Sequence, residues 1–360
     1  MCTSGVRVHM VSGYRNSQVL VTGGLGFIGS NLALRLAESG AAVTVVDSAV
    51  EGCGANPRNL AGAAAQIEVI ASDIADATDF ASAIRASDVI FNLAGEVSHL
   101  ESMRDPRRDM DLNAASQLHF LEECARIRPG VRVVYASTRQ IFGAPRYLPV
   151  DEQHPVAPLD FNGIHKYAAT AYHQVMTAGG RLDAVVLCLS NVYGPRMSLE
   201  LRTQGFLGDF LRKAMTREPI SIFGNGKQLR DPVFVDDVVD AFLLAGLAQN
   251  PANRMWNVGG AQPLELAAIA EVISTGADSV APVFRPFPTE LKSIEIGSYY
   301  TDTARIRRDL GWTARVDFER GIERTIEYYR RERAYYLRAA NDEGDAAHGN
   351  WESTADVVAV

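Results

Sequence analysis

The sequence predicts an α/β protein built on a Rossmann-type, doubly wound parallel sheet, with a smaller C-terminal lobe. Three observations lead to this fold class: short apolar strands alternate with helical stretches, a glycine-rich loop directly follows the first strand, and the alternation loosens after about residue 190. Apolar strands that alternate with helices are typical of parallel sheets covered by helices on both faces. A chain of 360 residues is long enough for one such domain and a smaller lobe.

The predicted strands are short runs rich in β-branched residues, and the helices between them show helical spacing of apolar residues. The strands are Gln18–Thr22, Ala42–Asp47, Ile67–Ala71, Val89–Leu93, Val131–Ala136 and Ala184–Ser190, and the main helices are Ser30–Ser39, Asp111–Ile127 and Ile164–Thr177. We divide the chain into a flexible extension over residues 1–17, a main domain over 18–190, a lobe mainly over 191–335 whose elements can return to the sheet, and a disordered tail over 336–360.

Composition and charge exclude several classes of protein. The formal net charge is −8, which argues against a general nucleic-acid binder, because such proteins concentrate basic side chains on one surface. The sequence has no apolar run long enough to span a membrane, and residues 1–17 lack the apolar core of a secretory signal. The cysteines Cys2, Cys53, Cys124 and Cys188 are scattered, without the spacing of a metal site. We therefore expect a cytoplasmic protein with reduced thiols and no metal.

The loop after the first strand carries Gly23, Gly26 and Gly29, and Phe27 and Ile28 begin the following helix. In this strand–loop–helix context the first glycine permits a tight turn, the second lets the backbone approach a pyrophosphate, and the third allows the helix to pack closely on the strand. The free N–H groups and the dipole of the helix then face the phosphates. The loop therefore predicts a dinucleotide-binding site.

Acidic residues follow the next two strands. Asp47 ends the second strand, where a carboxylate can accept hydrogen bonds from the ribose hydroxyls and repel a 2′-phosphate, so we predict NAD rather than NADP as the cofactor. Asp47 as a simple turn residue is the alternative. Asp73 and Ile74 follow the third strand and are placed to meet the adenine edge, although an Asp after a strand is often only a helix cap.

Further motifs follow the glycine loop in a fixed order. They are Asn92-Leu93-Ala94-Gly95, Asn113, Tyr135-Ala136-Ser137-Thr138, Asn191-Val192-Tyr193-Gly194-Pro195-Arg196, Gly224–Asp231 and Leu310-Gly311-Trp312. Over roughly Gln18 to Tyr329 this succession resembles the extended short-chain dehydrogenase/reductase superfamily, and within it the nucleotide-sugar epimerases, dehydratases and decarboxylases related to UDP-glucose 4-epimerase. The resemblance implies an NAD-binding domain over residues 18–190 and a lobe that binds a nucleoside-diphosphate sugar.

The resemblance also assigns individual residues. Leu93, Ala94 and Gly95 correspond to the segment under the nicotinamide ribose, and Asn113 corresponds to a structural asparagine, which we group with the cofactor site. Thr138 corresponds to the catalytic hydroxyl. Lys166 corresponds to the family lysine, which holds the nicotinamide ribose and lowers the pKa of a tyrosine four residues before it.

That tyrosine is absent, because Asn162 occupies its position. An amide cannot act as a general base near neutral pH, so three interpretations stay open. In the first, another group supplies the base and Asn162 only hydrogen-bonds the sugar hydroxyl; His165, three residues further along the helix, is one candidate, although it can equally be a polar helix residue. Alternatively, a ligand-bound water molecule relays the proton through Thr138 and Lys166. In the third interpretation the protein binds cofactor and sugar without turnover. We favour retained catalysis, because the rest of the constellation is intact.

The two residues after Thr138 bear on the reaction. Dehydratases of the resembled family carry Asp-Glu there and decarboxylases usually carry Glu second, whereas this chain has Arg139-Gln140, which cannot serve as acid or base. We therefore predict a nucleotide-sugar 4-epimerase that acts through a transient 4-keto sugar. A nucleotide-uronate decarboxylase or 4-dehydrogenase is the alternative enzyme, and a silent binding protein is the alternative of another class. Arg139 can meet a carboxylate at sugar C6 or can be structural.

The candidates for substrate binding and for a partner come from residue and helix positions that correspond to those of the resembled family. Asn191, Arg196, Arg230 and Lys292 are candidates for binding the sugar nucleotide, although surface cations are usually only solvated and Lys292 lacks the bidentate geometry of arginine. The helices Asp111–Ile127 and Ile164–Thr177 carry apolar stripes like those that pair in dimers of the resembled family. We expect a homodimer, with burial of both stripes in the core as the alternative.

Overall fold

The computed structural model describes residues 13–50, 52–63, 65–199, 205–287 and 295–337. Its strands are β1 (Gln18–Thr22), β2 (Ala42–Val46), β3 (Ile67–Ile70), β4 (Val89–Asn92), β5 (Arg132–Thr138), β6 (Asp183–Leu189), β7 (Val192–Tyr193), β8 (Ser221–Phe223), β9 (Leu229–Arg230), β10 (Val233–Phe234), β11 (Met255–Val258), β12 (Leu264–Glu265) and β13 (Val283–Arg285). Its α-helices are α1 (Phe27–Glu38), α2 (Ala81–Ala86), α3 (His99–Arg104), α4 (Pro106–Met110), α5 (Ser116–Ile127), α6 (Phe161–Ala178), α7 (Phe206–Thr216), α8 (Val235–Leu247), α9 (Leu266–Gly276), α10 (Ala304–Leu310), α11 (Phe318–Arg331) and α12 (Arg333–Tyr336).

A parallel sheet forms the centre of the molecule. Among the described residues it contains seven strands in the order β11-β6-β5-β4-β1-β2-β3. The chain runs from β1 through β2 to β3 on one side and then returns to place β4 on the other side of β1, with Val19 opposite both Val43 and Val89. Ligands bind beyond the carboxyl ends of the strands where the strand order reverses in this way. The predicted Rossmann-type fold is confirmed.

Helices cover both faces of the sheet because its strands are apolar on both sides. In β1, Val19 and Val21 face a core that includes Leu32 of α1, whereas Leu20 faces a second core with Phe120 of α5. All five side chains are essentially buried. Alternate side chains of one strand therefore anchor the two helical layers, which hold the strand ends in place.

The ends of two predicted elements differ from those observed. Strand β5 continues to Thr138, two residues beyond the predicted end, so Thr138 lies at the carboxyl edge of the sheet. Helix α6 begins at Phe161 rather than at Ile164, because the Asp160 carboxylate caps it by accepting a hydrogen bond of 2.7 Å from the Gly163 N–H. Asn162 therefore lies in the first turn of α6, close to the edge where β5 ends.

The predicted helix Asp111–Ile127 is part of a longer helical run. It begins with α4, passes through a π-helical turn over Asp111–Ala115 and continues as α5. Wider turns of this kind recur at functional sites. Here the wide turn contains Asn113, whose side chain is buried.

The smaller lobe has its own core, formed mainly by α7, α9 and α11, with Phe210, Ile269 and Ile322 buried between them. The chain segment 191–335 also contributes to the main domain. Strand β11 pairs with β6 in the central sheet, and α8 packs against α1. The two predicted domains thus share one sheet, so the lobe is held firmly over the strand ends.

The predicted N-terminal extension and the predicted C-terminal tail each contain a buried residue where they join the rest of the protein. In the predicted extension, Tyr14 is buried and its hydroxyl donates to the Leu243 carbonyl at 2.7 Å. Tyr336, the first residue of the predicted tail, is buried at the end of α12. Residues 1–12 and 338–360 lie outside the described part of the chain. In the part that is described, no helix is both long and apolar enough to cross a membrane, and no group of side chains has the composition of a metal site.

Candidate active site

A cleft of about 300 Å³ lies at the carboxyl ends of the central strands, between the sheet and the smaller lobe. The predicted cofactor residues that line it are Gly23, Gly26, Phe27, Ile28, Gly29, Asp47, Asp73, Ile74, Leu93, Ala94, Gly95 and Lys166. The predicted catalytic and substrate residues that line it are Thr138, Asn162, Lys166, Arg139 and Asn191. The structure thus brings most of the predicted residues to one place, which is the point where the strand order reverses.

The glycine loop forms a tight cradle at one end of the cleft. Gly23 has a positive φ of +68°, and a Cβ atom there would lie 2.7 Å from the Leu93 carbonyl oxygen. A Cβ atom on Gly29 would lie 2.2 Å from the Gly23 carbonyl oxygen. Only glycine therefore fits at these two positions. Among the described residues no side chain caps α1 at Gly26, so the first N–H groups of the helix are free to face an anion.

Asp47 closes this end of the cleft. One carboxylate oxygen accepts a hydrogen bond from the Leu25 N–H and the other accepts one from the Ala49 N–H, both at 2.9 Å. Burial raises the pKa of Asp47 above its ordinary value, although these two hydrogen bonds oppose that rise. The carboxylate therefore braces the glycine loop and still faces the cleft.

Asp73 lies beside Ile74 on the same side of the cleft. Its carboxylate accepts a hydrogen bond of 2.8 Å from the Ala75 N–H and caps the 3₁₀ turn Ile74–Asp76. The cap that the sequence offered as an alternative is present, and Asp73 lines the cleft as well.

Elsewhere in the lining of the cleft, Lys166 meets the backbone at Gly95. Gly95 has a φ of +143°, and a Cβ atom there would lie 2.6 Å from both the Lys166 Nζ and the Asn113 Oδ1. Burial lowers the pKa of Lys166 from 10.5 to about 8, against the attraction of Asp109 and Glu96. The lysine is therefore a cation that loses its proton easily, held directly under the cleft.

Asp109, which the sequence did not indicate, organises the side chains beneath the cleft. Asn162 donates to Asp109 Oδ2 at 3.0 Å and to the Glu96 carbonyl at 3.1 Å. Asn113 donates to the same carboxylate oxygen at 3.1 Å and accepts from the Glu96 N–H at 3.1 Å. His165 hydrogen-bonds through Nδ1 to Asp109 Oδ1 at 2.7 Å. His165 and Asn113 are buried and are not among the residues that line the cleft.

A second group that the sequence did not indicate lies on the wall of the cleft. His99, the first residue of α3, lines the cleft, and its Nδ1 is 2.5 Å from Asp160 Oδ2. Its Nε2 contacts the side-chain amide of Gln140, which also lines the cleft. His99 and Asp160 are 61 residues apart, and no spacing rule joins them. Their pairing depends on the packing of α3 against α6.

Arg139 is buried on the same wall, with its guanidinium 4.9 Å from the centre of the Tyr299 ring. Burial lowers the pKa of Arg139 below its ordinary value, although Tyr299 and Asp231 favour its charge. Asn191 lines the cleft too, and its Oδ1 is buried with no hydrogen-bond partner among the described residues. A buried acceptor of this kind is suited to a ligand hydroxyl.

Two predicted cations, Arg196 and Arg230, are not among the residues that line the cleft. Arg196 donates to Asn31 Oδ1 at 2.9 Å and to the Asn59 carbonyl at 3.2 Å, and it is not among the lining residues. Arg230 is buried and donates to the Gly297 carbonyl at 2.6 Å, also outside the lining. Lys292 lies outside the described residues. The positions of Arg196 and Arg230 depend on protein acceptors distant in sequence, which register alone does not reveal.

Comparison with known proteins adds to this geometry. A family model described as the NAD dependent epimerase/dehydratase family matches residues 19–259. The chain is 32% identical over 318 residues to a UDP-glucose 4-epimerase from Mycolicibacterium smegmatis, in an alignment that covers 87% of this chain and 98% of that protein.

Solved structures are similar over nearly the same extent. One is a UDP-glucose 4-epimerase from Thermotoga maritima with UDP-glucose, with a TM-score of 0.76, 29% identity, and coverage of 87% of this chain and 99% of that one. Another is a UDP-glucose 4-epimerase from Thermus thermophilus in complex with NAD, with a TM-score of 0.75, 25% identity, and coverage of 87% and 98%.

Proposed function

Because this chain belongs to the NAD dependent epimerase/dehydratase family, we propose that it is an NAD-dependent nucleotide-sugar 4-epimerase acting through a transient 4-keto sugar. The observation that carries the proposal is one cleft lined by the glycine cradle and Asp47 together with Thr138 and Lys166. Arg139 and Gln140 offer no acid or base for an elimination, whereas a 4-epimerase needs only hydride and proton transfer at one carbon.

The residues present fit NAD. The cradle that a Cβ atom would fill at Gly23 or Gly29 suits a pyrophosphate, and the free N–H groups at the start of α1 suit its charge. Asp47 would bind the adenosine ribose, and Lys166 would bind the nicotinamide ribose. When bound, NAD accepts a hydride from the sugar and returns it.

The other residues of the cleft act on the sugar. The Thr138 hydroxyl would hydrogen-bond the oxygen at C4, and the Lys166 ammonium would stabilise the negative charge that develops there, an attraction strengthened by its burial. Asn191 Oδ1 would accept a hydrogen bond from a sugar hydroxyl. The 4-keto sugar must rotate to present its other face before it is reduced again. The cleft between the sheet and the lobe supports such a rotation.

The experiment is incubation of the purified protein with NAD and a panel of nucleotide sugars and nucleotide uronates, followed by chromatography and mass spectrometry. Isomerisation without a change of mass supports the 4-epimerase. Loss of carbon dioxide, or accumulation of an oxidised sugar with NADH, would replace it with the decarboxylase or the 4-dehydrogenase, which Arg139 could serve by binding a uronate carboxylate. Binding of NAD and sugar without conversion would replace it with a silent binding protein.

We also propose that the protein is a cytoplasmic homodimer. Helix α6 exposes Phe161, Ile164, Tyr167 and Val175 along one side, and Val175 is 69% exposed. An apolar helix face of this kind is suited to packing against the same face of a second copy. Cys53, Cys124 and Cys188 are free thiols, which supports a reducing compartment.

A further inference from the structure

The missing tyrosine leaves the proposed reaction without an evident base, and the pair His99–Asp160 offers one. Asn162 stands at the tyrosine position, and both its side-chain hydrogen bonds to the protein are donated by Nδ2. We propose that His99 is the general base that takes the proton from the sugar hydroxyl, and that Asp160 positions it. This inference rests on the proposed epimerase function.

Position is the first argument for His99. Its side chain lines the cleft together with Thr138, Asn162 and Lys166, and it is 24% exposed, so a ligand in the cleft can reach it. His165, by contrast, is buried beneath the cleft with its Nδ1 engaged by Asp109. His99 is thus the histidine on the wall where the sugar would lie.

The hydrogen bonds of His99 are the second argument. The Asp160 carboxylate, 2.5 Å from Nδ1, requires that Nδ1 carry the proton. Nε2 is then a lone-pair acceptor, which agrees with its contact with the Nε2 amide group of Gln140, a donor. A substrate hydroxyl can replace this amide as the donor to Nε2. Burial raises the pKa of Asp160, but the interaction with His99, the hydrogen bond from the Gly163 N–H and the charge of Arg139 together outweigh it and lower the pKa, so the carboxylate stays charged.

Other groups near the cleft are less suited to accept the proton. Burial and the nearby Glu96 carboxylate raise the pKa of the Cys53 thiol to about 12. Burial raises the pKa of Tyr135 far above its ordinary value. Lys166 is closer to a base, with a pKa of about 8, but its positive charge is what stabilises the developing alkoxide. In the proposed reaction Lys166 is therefore the cation and His99 is the base.

The O–H bond at C4 breaks and its proton goes to His99 Nε2, while the electron pair of the O–H bond forms the carbonyl. The hydride leaves C4 for the oxidised nicotinamide of NAD. In the second half of the cycle hydride returns to the other face of C4, and the proton on Nε2 returns to the oxygen.

The test uses three variants of the full-length protein, with UDP-glucose and NAD. His99→Gln removes the base. Asp160→Asn keeps an oxygen that can cap α6, as Oδ1 caps the Gly163 N–H now, but it presents an amide N–H to His99 and so moves the imidazole proton to Nε2. His119→Gln, on the exposed side of α5, is the matched control.

We expect epimerisation to fall by about 10² to 10⁴-fold in His99→Gln and Asp160→Asn and to stay unchanged in His119→Gln. Calorimetry should show that both variants still bind NAD and UDP-glucose. The shape of the pH–rate profile should differ between the wild type and His99→Gln, because the variant lacks the proposed base. The charged groups that face His99 are Asp160 and, beyond it, Arg139, whereas Glu101 and Arg104 of α3 pair with each other. A turnover within about threefold of wild type in His99→Gln would overturn the proposal.

Nitrogen-15 NMR of the histidine side chains gives a readout that does not require turnover. The His99 signal, assigned by its absence in His99→Gln, should show the Nδ1–H tautomer in the wild type and the Nε2–H tautomer in Asp160→Asn. An Nε2–H tautomer in the wild type would contradict His99 as base. A wild-type protein that converts no nucleotide sugar would instead contradict the epimerase, so the two failures can be told apart.

Discussion

At the scale of single residues, burial in the folded protein disfavours the positive charge of Lys166. Its pKa falls from 10.5 to about 8 because of burial, so between these values the unfolded chain is protonated and the folded chain is not. Unfolding then takes up a proton, and the free energy of unfolding must rise with pH through this window. At about 1.4 kcal/mol per pKa unit the rise is on the order of 3 kcal/mol.

We predict that this rise, measured by denaturant unfolding between about pH 8 and about pH 10.5, is present in the wild type and absent from Lys166→Met. Other groups that titrate in the window contribute equally to both proteins. Lys227→Met, at an exposed lysine, serves as the control and should behave like the wild type. Parallel curves for the wild type and Lys166→Met would contradict the burial of a titrating amine.

Asp47 belongs to the same scale. Its charge should select NAD over NADP, because it accepts hydrogen bonds from ribose hydroxyls and repels a phosphate. Asp47→Asn should lower the ratio of the NADP and NAD dissociation constants by about tenfold or more, since a hydrogen bond to a charged group contributes about 1.5–3 kcal/mol. Calorimetry with both cofactors measures the ratio. Asp79→Asn, at an exposed carboxylate, should leave it unchanged, and an unchanged ratio in Asp47→Asn would remove Asp47 from cofactor selection.

At the scale of elements, the contact between the glycine loop and α1 decides whether the cradle forms. A Cβ atom on Gly29 would lie 2.2 Å from the Gly23 carbonyl oxygen, so Gly29→Ala must push α1 away from the loop. We predict a loss of about 1–3 kcal/mol in the free energy of unfolding and at least tenfold weaker NAD binding. Gly62→Ala is the matched control, since its Cβ would meet open space. Equal behaviour of the two variants in thermal unfolding and calorimetry would show that close packing at Gly29 is unimportant.

At the scale of the whole molecule, the exposed apolar side of α6 should decide the oligomeric state. Val175→Glu places a charge at the most exposed apolar residue of the proposed interface, where its desolvation opposes association. We predict dimers for the wild type and monomers for Val175→Glu in light scattering at micromolar concentration. Val280→Glu, at an exposed valine between α9 and β13, should remain dimeric. A wild-type monomer, or a dimer that survives Val175→Glu, would place the interface elsewhere or exclude it.

Local patterns in the sequence determined the fold class and much of the cleft. Strand and helix periodicity and the three glycines are short-range features, because the conformation of a few neighbouring residues decides them. They predicted the parallel sheet, and residues such as Gly29, Asp47, Thr138 and Lys166 line one cleft. The ends of β5 and α6 were less well predicted, since a cap such as Asp160 shifts a helix start by a few residues.

Only the tertiary structure decided which side chains meet across the cleft. His99 and Asp160 come together because α3 packs against α6, and Asp109 gathers Asn113, Asn162 and His165 from two different helical segments. Contacts between residues so distant in sequence depend on the order of strands in the sheet and on the packing of helices over it, and no local spacing encodes them. The sequence alone therefore predicted many of the residues that line the cleft, and the packing decided which side chains lie against one another around it.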